Sequence, residues 1–251
     1  KEQGEFKFME DGQYALYSDK AGHVFGTYYT AYYFREAFAM IGMGWELSNI
    51  TAAAVGLAYT TYVEILDGYG VNWGFSPSDF YADVAGSAFF IGQYYWPFLQ
   101  NFTPKFMYFP ANWYGEKRRA EAEAFIDDYS SHTLWLSVNV HNMLPDNAKE
   151  YWPDWLELSF GYAVRNLCSP ATGCEGNGAE LHLINDGTDY VYGDIKYIVA
   201  FDYDLVKLLP DGCNFWNWFK QTLNFIKMPS PAVEFGSETR FYLLYPFKIN
   251  F

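Results

Sequence analysis

Seven residues whose types suit chemistry stand near the ends of three predicted helices: Asp19, Lys20, His23, Glu64, Asp67, Asp79 and Asp83. The spacing of Asp19 and His23, four residues apart, places both on one face of a helix. An acid at the carboxyl end of a helix, such as Glu64, opposes the helix dipole and needs a cation or a donor nearby. Asp83 leads an apolar stripe, so its carboxylate also needs a partner.

Three helices must position these side chains. They are predicted at residues 19–40, at 47–66 with a stop at 67–68, and from the N-cap Ser76 to a point before Pro97. Pro77 suits the first position of the third helix. Short connections make the helices run up, down and up, so all seven side chains should meet at one end of the bundle.

Two interpretations of this meeting point stay open. In the first, it is a divalent-metal or acid–base site, because carboxylates and imidazole are metal ligands. The metal ligands would be His23, Glu64, Asp67, Asp79 and Asp83, and the catalytic candidates would be Asp19, Lys20 and His23. In the second, Lys20 and His23 pair with the acids and lock three helix ends together. We favour the second because no spacing is a strong metal motif, so a divalent metal is a candidate cofactor and none is assured.

The residues after position 100 alternate between apolar and polar types, which is typical of antiparallel strands. Strands are predicted at 102–109, 134–140, 156–165, 195–205 and 240–251, and a short amphipathic helix at 215–226. Each strand has one apolar and one polar face, as in a half-solvated sheet or a small barrel with a polar lumen. We therefore predict an α+β fold. A three-helix unit (1–100) packs with an antiparallel sheet or a small, complete or incomplete, outer-membrane-type barrel (101–251).

The predicted terminal strand carries six apolar side chains on one side: Phe241, Leu243, Tyr245, Phe247, Ile249 and Phe251. Such a face suits lipid, although it also suits the core of a soluble sheet. Five or six strands are few for a barrel, which needs about eight. This count favours a sheet docked at a membrane and completed by strands from residues 5–16, by helices or by a partner.

Composition narrows the possible partners. Aromatic residues make up 22% of the 251 residues and the net charge is −14, which argues against nucleic acid. No uninterrupted apolar stretch reaches about 18 residues, so no membrane-spanning helix is predicted. Cys168 and Cys174 flank a turn and are predicted to form a local disulfide that leaves Cys213 over, with three reduced cysteines as the alternative. The start at Lys1 predicts a processed or trimmed chain without a lipid anchor at that residue.

The motifs of the first part resemble a known family. The runs Asp19-Lys-Ala-Gly-His23, Glu64-Ile-Leu-Asp67-Gly68 and Ser76-Pro-Ser-Asp79 are similar to the YfiM-like family of predicted envelope lipoproteins, domain of unknown function 2279. They are more distantly similar to VanZ-like membrane proteins. Residues 128–137, 155–162 and 226–235 are similar to longer, Bacteroidota-type members of the first family. The resemblance implies the bacterial envelope, with the outer membrane or its periplasmic face as the location, and assigns no catalytic role.

Three functions remain as hypotheses. The favoured one is a non-enzymatic structural or accessory subunit of an outer-membrane assembly, whose partners are outer-membrane lipid and other envelope proteins. A metal-dependent hydrolase acting on a lipid or a cell-wall precursor is the second, with Lys20 steadying an anionic oxygen. A lipid or small-molecule binding module, with the polar face of the sheet as its pocket, is the third.

Overall fold

The computed structural model describes residues 4–111, 125–168 and 178–247. The chain divides into two compact units, Lys1–Gln100 and Asn101–Phe251. The first unit is helical and the second contains an antiparallel sheet, which confirms the predicted α+β class.

Three long helices form the first unit: α1 (Ser18–Met40), α2 (Trp45–Gly68) and α3 (Pro77–Tyr95). Their bounds agree with the predicted ones to within a few residues. Ser76 caps α3 as predicted, because its Oγ accepts a hydrogen bond from the backbone N–H of Asp79 at 3.2 Å. Within the described residues, no helix combines the length and the hydrophobicity required to cross a membrane.

Small residues let the three helices approach closely. A Cβ placed on Gly56 of α2 would lie 3.1 Å from the backbone nitrogen of Ala31 in α1, and one placed on Gly86 of α3 would overlap the carbonyl oxygen of Val24. The space between the helices also buries polar groups, including Asn49 and Ser87. Large apolar side chains are exposed instead, among them Leu47, Ile50, Tyr59, Tyr62, Val63, Ile65 and Leu66.

Seven antiparallel strands form the sheet of the second unit: β1 (Phe102–Tyr108), β2 (His132–Val138), β3 (Leu156–Cys168), β4 (Leu181–Ile184), β5 (Asp189–Tyr203), β6 (Ala232–Phe235) and β7 (Arg240–Tyr242). Their order is β1-β2-β3-β5-β6-β7, with β4 paired to β5, and within the described residues β1 and β7 do not pair with each other. Four short helices lie between strands: α4 (Val140–Met143), α5 (Asp146–Lys149), α6 (Leu205–Leu208) and α7 (Asn214–Leu223).

Several predicted strand limits were wrong. The strand predicted to residue 140 ends at Val138, because Asn139 caps α4 by accepting a hydrogen bond from the N–H of Asn142 at 3.0 Å. The strands β4 and β6 were not predicted, since each has only four residues and too short a pattern to recognise. Residues 5–16 add no strand to the sheet; in the described part of this segment, Phe8 forms a single bridge with Phe75.

The prediction of a long terminal strand was also wrong. Its ladder ends after Tyr242, and the chain then turns, with Pro246 offering no N–H to continue the pairing. Phe241 is 81% exposed whereas Tyr245 is 2% exposed, so the two side chains do not share one apolar face. The backbone N–H of Tyr245 donates instead to the carbonyl oxygen of Ser230 at 2.9 Å. The predicted positions Ile249 and Phe251 lie outside the described residues.

The sheet has one apolar and one polar face, as predicted. The strand register aligns apolar side chains in three rows, which together we call the apolar face: Pro104, Leu136, Phe160, Val199, Val233 and Phe241; Phe102, Val138, Leu158 and Phe201; and Phe106, Leu134, Tyr162, Tyr197 and Phe235. The opposite face, which we call the polar face, carries Lys105, Ser137, Glu157, Ser159, Lys196, Asp202 and Glu234, and between them the buried apolar residues Met107, Trp135, Ala163, Ile198, Ala200 and Ala232.

The polar face of the sheet is the buried one. Lys105 and Asp202 are 1% and 0% exposed, whereas Phe160 and Tyr197 are 51% and 59% exposed. The usual arrangement of a water-facing sheet places apolar side chains inside and polar ones outside. In this unit the buried face combines charged side chains with a small apolar cluster, and the apolar face is largely exposed over the centre of the sheet.

Of the three cysteines, Cys168 is disulfide-bonded and Cys213 is an exposed free thiol. Both states agree with the predicted disulfide and leftover thiol. Cys174, the predicted partner of Cys168, lies outside the described residues.

Candidate functional site

The structure brings six of the seven predicted residues together at one end of the three helices: Asp19, Lys20, His23, Glu64, Asp79 and Asp83. With Asp11, which precedes α1, we call them the helix-end cluster. Among the described residues, two groups have candidate metal-ligand atoms within 4.8 Å of one another, namely Asp19, His23 and Asp79, and His23, Glu64 and Asp83. Asp67 belongs to neither group, although it lies one turn after Glu64.

Lys20 binds three of the acids in the helix-end cluster. Its Nζ donates to Asp11 Oδ1 at 2.7 Å, to Asp19 Oδ2 at 2.7 Å and to Asp79 Oδ1. Asp11 also accepts a hydrogen bond from Ser76 Oγ at 2.5 Å. Lys20 therefore ties the segment before α1 to the beginning of α3.

His23 lies near four of the acids in the cluster. Its Nδ1 lies 3.1 Å from Asp83 Oδ1, within hydrogen-bonding distance. Its Nε2 lies 3.8 Å from Asp19 Oδ1, 3.8 Å from Glu64 Oε1 and 3.7 Å from Asp79 Oδ1. These three distances exceed that of a hydrogen bond. Carboxylate oxygens from three helices therefore surround Nε2 without accepting its proton directly.

Asp83 is the deepest member of the cluster. Its side chain is 0% exposed, and its Oδ1 accepts a hydrogen bond from Thr27 Oγ1 at 2.7 Å as well as facing His23. Its Oδ2 is buried and has no hydrogen-bond partner. Burial of a carboxylate oxygen without a donor is costly, so this oxygen marks a place where the protein alone leaves a polar group unsatisfied.

The two cations of the cluster are held in their charged forms. Burial lowers the pKa of Lys20, but the charge of Asp19 and the hydrogen bonds to Asp11, Asp19 and Asp79 outweigh it and raise the pKa above its ordinary value. Burial also lowers the pKa of His23, but the hydrogen bond to Asp83 and the surrounding carboxylates raise it to about 9. Near neutral pH and in the metal-free chain, His23 is therefore an imidazolium that neutralises part of the acidic charge around it.

The acids show the opposite effect. Burial and the charge of Asp79 raise the pKa of Glu64 to about 7, although His23 lowers it. Burial and the charge of Asp19 raise the pKa of Asp79 to about 7, against the effects of His23 and Lys20. Negative charge is thus crowded at this site beyond what Lys20 and His23 neutralise.

The comparison with protein families bears on this helical unit. Residues 5–94 match the model of a family described as predicted periplasmic lipoprotein (DUF2279). The chain is similar to that family over this stretch, which is 90 of its 251 residues. The match confirms the resemblance inferred from the three motifs, while the more distant similarity to VanZ-like proteins stays a prediction. Neither a search of curated proteins nor a search of solved structures finds a match.

The DUF2279 match covers every member of the helix-end cluster and ends before β1 begins at Phe102. Its description gives the periplasmic side of the cell envelope as the location, which confirms the envelope prediction at that level. The description names no reaction, so the role of the cluster has to be argued from its contacts.

A second polar cluster lies on the buried face of the sheet. Lys105 Nζ lies 3.1 Å from Glu157 Oε2 and 3.0 Å from Asp202 Oδ2. Lys227 Nζ lies 3.5 Å from Asp202 Oδ1 and donates to Ser230 Oγ at 2.8 Å. Two lysines thus face two acids, a balance that fits a structural ion-pair network. We call Lys105, Glu157, Asp202 and Lys227 the sheet cluster.

Three histidines outside the helix-end cluster bind backbone carbonyl oxygens. His132 Nε2 lies 2.8 Å from Phe125 O, and His141 Nδ1 lies 2.7 Å from Trp152 O. His182 Nε2 lies 2.8 Å from the carbonyl oxygen of Gly193. One ring nitrogen of each therefore acts as a hydrogen-bond donor, which leaves these residues in structural roles.

Sequence reasoning missed several contributors. Thr27 follows His23 by four residues, a helical spacing that could have indicated its contact with Asp83. No comparable signal marked Asp11, which lies before the first helix and reaches Lys20 through the fold. The pairing of Lys105 with residues on β3 and β5 likewise depends on strand register and not on local sequence.

Proposed function

We propose that this chain is a non-enzymatic structural or accessory protein of the bacterial outer membrane, whose sheet contacts lipid through its apolar face. The observation that carries the proposal is the exposed apolar face of the sheet, which lies opposite a buried face that holds charged side chains. The periplasmic description of the family that residues 5–94 match supports an envelope location.

The apolar face is continuous across the strands. Its central row runs through Leu136, Phe160, Val199, Val233 and Phe241, each paired with the next in the strand register. Neighbouring strands lie about 4.8 Å apart, so these side chains contact one another as one surface. Neither the central row nor the two flanking rows contains a charged residue, and such a surface gains free energy by leaving water.

The edges of the apolar face suit the boundary of a lipid layer. Along β5, Tyr197 and Tyr203 lie on either side of Val199 and Phe201, and Ile195 continues the apolar run beyond Tyr197. The six steps from Tyr197 to Tyr203 span about 20 Å. Tyrosine side chains suit the lipid–water boundary, where the hydroxyl group can stay hydrated while the ring contacts hydrocarbon.

Lipid explains this face better than a protein partner does. Protein interfaces carry about one hydrogen bond per 100–200 Å² and a polar rim. The apolar face offers few groups that could form such bonds, since phenol hydroxyls are its only polar side-chain groups. The polar side chains of these strands lie on the opposite face, where they bond to one another; for example, Ser137 Oγ donates to Asp202 Oδ2 at 2.5 Å.

The alternatives receive less support. The binding-module hypothesis requires a polar face open to a ligand, but Ser137, Ser159 and Asp202 on that face are buried and bonded to one another. Metal-dependent hydrolysis stays a prediction that these contacts do not test.

Vesicle flotation tests the proposal. The chain beginning at Lys1, without an acyl group, is mixed with vesicles of phosphatidylethanolamine and phosphatidylglycerol and centrifuged through a density gradient. We expect it to float with the vesicles and to remain bound at high salt, because a net charge of −14 is repelled by anionic lipid and only apolar contact is left to hold it.

Two matched variants assign the binding to the apolar face. Leu136 lies on that face and is 39% exposed, whereas Leu183 pairs with Tyr190 on the opposite side of the sheet and is 66% exposed. Leu136→Glu should reduce the floating fraction severalfold, and Leu183→Glu should not change it. A monodisperse chain that ignores vesicles without detergent, or equal losses in both variants, would contradict lipid contact; a defined complex with another envelope protein at the same face would replace it.

A further inference from the structure

We propose that His23 Nε2 and carboxylate oxygens of Asp19, Glu64 and Asp79 bind one divalent transition-metal ion, while Asp83 orients the imidazole through Nδ1. The ion would join α1, α2 and α3 at their common end, as a structural centre of the helical unit. This proposal does not depend on lipid contact by the sheet.

Three carboxylate oxygens surround the Nε2 atom of His23. Its distances to Asp19 Oδ1, Glu64 Oε1 and Asp79 Oδ1 are 3.8, 3.8 and 3.7 Å. Among the described residues, the candidate ligand atoms of Asp19, His23 and Asp79 lie within 4.8 Å of one another, whereas Glu64 groups with His23 and Asp83. Ligand atoms about 2.1 Å from a tetrahedral ion lie roughly 3.4 Å from one another, so Asp19 and Asp79 have to draw closer and Glu64 has to turn toward them to complete the shell. Direct hydrogen bonds would have drawn the same atoms closer than these distances.

The second contact of His23 is the one that metal-binding histidines make. A ligating imidazole donates its other N–H to a carboxylate or a carbonyl oxygen, which fixes the ring and its tautomer. Asp83 Oδ1 lies 3.1 Å from Nδ1 and also accepts from Thr27 Oγ1, so the orienting carboxylate is itself held in place.

Two further observations favour a bound cation. Five carboxylates, those of Asp11, Asp19, Glu64, Asp79 and Asp83, face one lysine and one histidine in the cluster. Independently, the completely buried Asp83 keeps an Oδ2 without any hydrogen-bond donor beside this site. A divalent ion would neutralise the excess negative charge and lower the cost of burying these oxygens.

The ligand types select the class of metal. One imidazole nitrogen with three carboxylate oxygens suits Zn²⁺ or Mn²⁺, whereas Ca²⁺ takes six to eight oxygens and Mg²⁺ keeps several waters. His23 is 24% exposed at its side chain, so an ion can enter from solvent without opening the bundle.

Calorimetric titration of the full chain tests the proposal directly. The protein is treated with a chelator, dialysed, and titrated with ZnCl₂, MnCl₂, MgCl₂ or CaCl₂. We expect one equivalent of Zn²⁺ or Mn²⁺ to bind, with at least tenfold preference over Mg²⁺ and Ca²⁺, and to raise the thermal unfolding temperature. A folded chain that takes up no stoichiometric metal would overturn the proposal.

A pair of variants in α2 locates the ion. Glu64 belongs to the cluster, whereas Glu46 is exposed near the other end of the same helix. Glu64→Gln should weaken binding at least tenfold, and Glu46→Gln should leave it unchanged. Asp83→Asn should weaken binding by about tenfold to a hundredfold, as for other orienting carboxylates. Equal affinities in the wild type and in Glu64→Gln would place the ion elsewhere and contradict the site.

X-ray absorption at the zinc edge keeps the test valid if a variant fails to fold. The unaltered chain with one equivalent of Zn²⁺ should show a shell of nitrogen and oxygen with scattering from a single imidazole. Sulfur scattering would assign the ion to Cys213, the exposed free thiol, and two or more imidazoles would assign it to the other histidines. Either result would overturn the proposal.

Discussion

Gly86 in α3 lies against the backbone of Val24 in α1, so closely that a Cβ at position 86 would overlap the Val24 carbonyl oxygen. The contact lies three residues, almost one helical turn, after Asp83. Because backbone cannot move aside as a flexible side chain can, this approach sets the separation of α1 and α3 beside the helix-end cluster.

Gly86→Ala should therefore destabilise the protein. Forcing the two helices apart is expected to cost about 1–3 kcal/mol, as for other overpacked sites. Gly26→Ala is the matched control, since a Cβ at Gly26 in α1 meets nothing within 4 Å. That control should stabilise by roughly 0.5–1 kcal/mol through helix propensity. Urea unfolding of both variants checks this, and equal effects would show that the close approach does not limit packing.

Asp83 should be necessary for the stability of the metal-free helical unit. Asp83→Ala removes the acceptor of both His23 Nδ1 and Thr27 Oγ1, which we expect to cost about 2–4 kcal/mol. Asp83→Asn keeps an acceptor oxygen and should cost less. The measurement is urea unfolding in the presence of a chelator. A more stable alanine variant would mean that burial of the Asp83 carboxylate costs more than its hydrogen bonds contribute.

Lys105 should be one of the most sensitive positions in the sheet. Lys105→Met leaves Glu157 without its lysine partner in a buried site, and breaking such a pair costs about 3–5 kcal/mol. Lys149→Met removes the exposed ion pair with Asp146 and should cost far less, because water screens this pair. Chemical unfolding compares the two. Similar losses would indicate that the sheet cluster is more hydrated than its burial implies.

Lys227 should make stability depend on pH in the alkaline range. Burial lowers its pKa from 10.5 to about 8, with Lys105 adding to the effect and Asp202 opposing it. Between these two values the unfolded chain binds more protons than the folded one. The contribution of Lys227 to the free energy of unfolding therefore rises with pH from about 8 to 10.5 and is constant below 8, with a total rise of roughly 3 kcal/mol.

Comparison with Lys227→Met isolates this effect, because other titrating groups occur in both proteins. The difference in unfolding free energy, wild type minus variant, should increase between pH 8 and pH 10.5, the range set by the two pKa values. Unfolding curves at several pH values give this difference. A constant difference would show that Lys227 keeps its ordinary pKa through its hydrogen bonds to Phe201 O, Met228 O and Ser230 Oγ.

The meeting of six residues at the helix ends could be predicted because it depends on local rules. Ser76 and Pro77 mark the beginning of α3, and Asp67-Gly68 marks the end of α2, so chain direction alone brings the ends together. The rotation of each helix about its own axis could not be predicted in this way, because it depends on packing contacts such as that of Gly56 against Ala31. This is why the sequence could not separate Glu64, which enters the groups of candidate ligands, from Asp67, which does not.

The sheet was predictable in its alternation and not in its orientation. Period 2 assigns Phe160 and Ser159 to opposite faces, but the face that is buried depends on what covers it. Here residues after β5 supply the cover, including Lys227 and Tyr245, and no local pattern announces them. The prediction of a long terminal strand was wrong for a related reason. The alternation of apolar and polar residues continues along the sequence, but Pro246 interrupts the ladder of backbone hydrogen bonds.

The strict alternation of β5 has a consequence for how this chain can vary. A single-residue insertion after Val199 would reverse every later side chain of the strand, turning Asp202 outward and Phe201 inward. Such a change would place an ion-paired carboxylate on the exposed apolar face and an aromatic ring among buried lysines at the same time. The fold can tolerate single substitutions on either face of β5, but it cannot tolerate an insertion or deletion of an odd number of residues within this strand. Length variation among homologues should therefore be confined to the connections around β5.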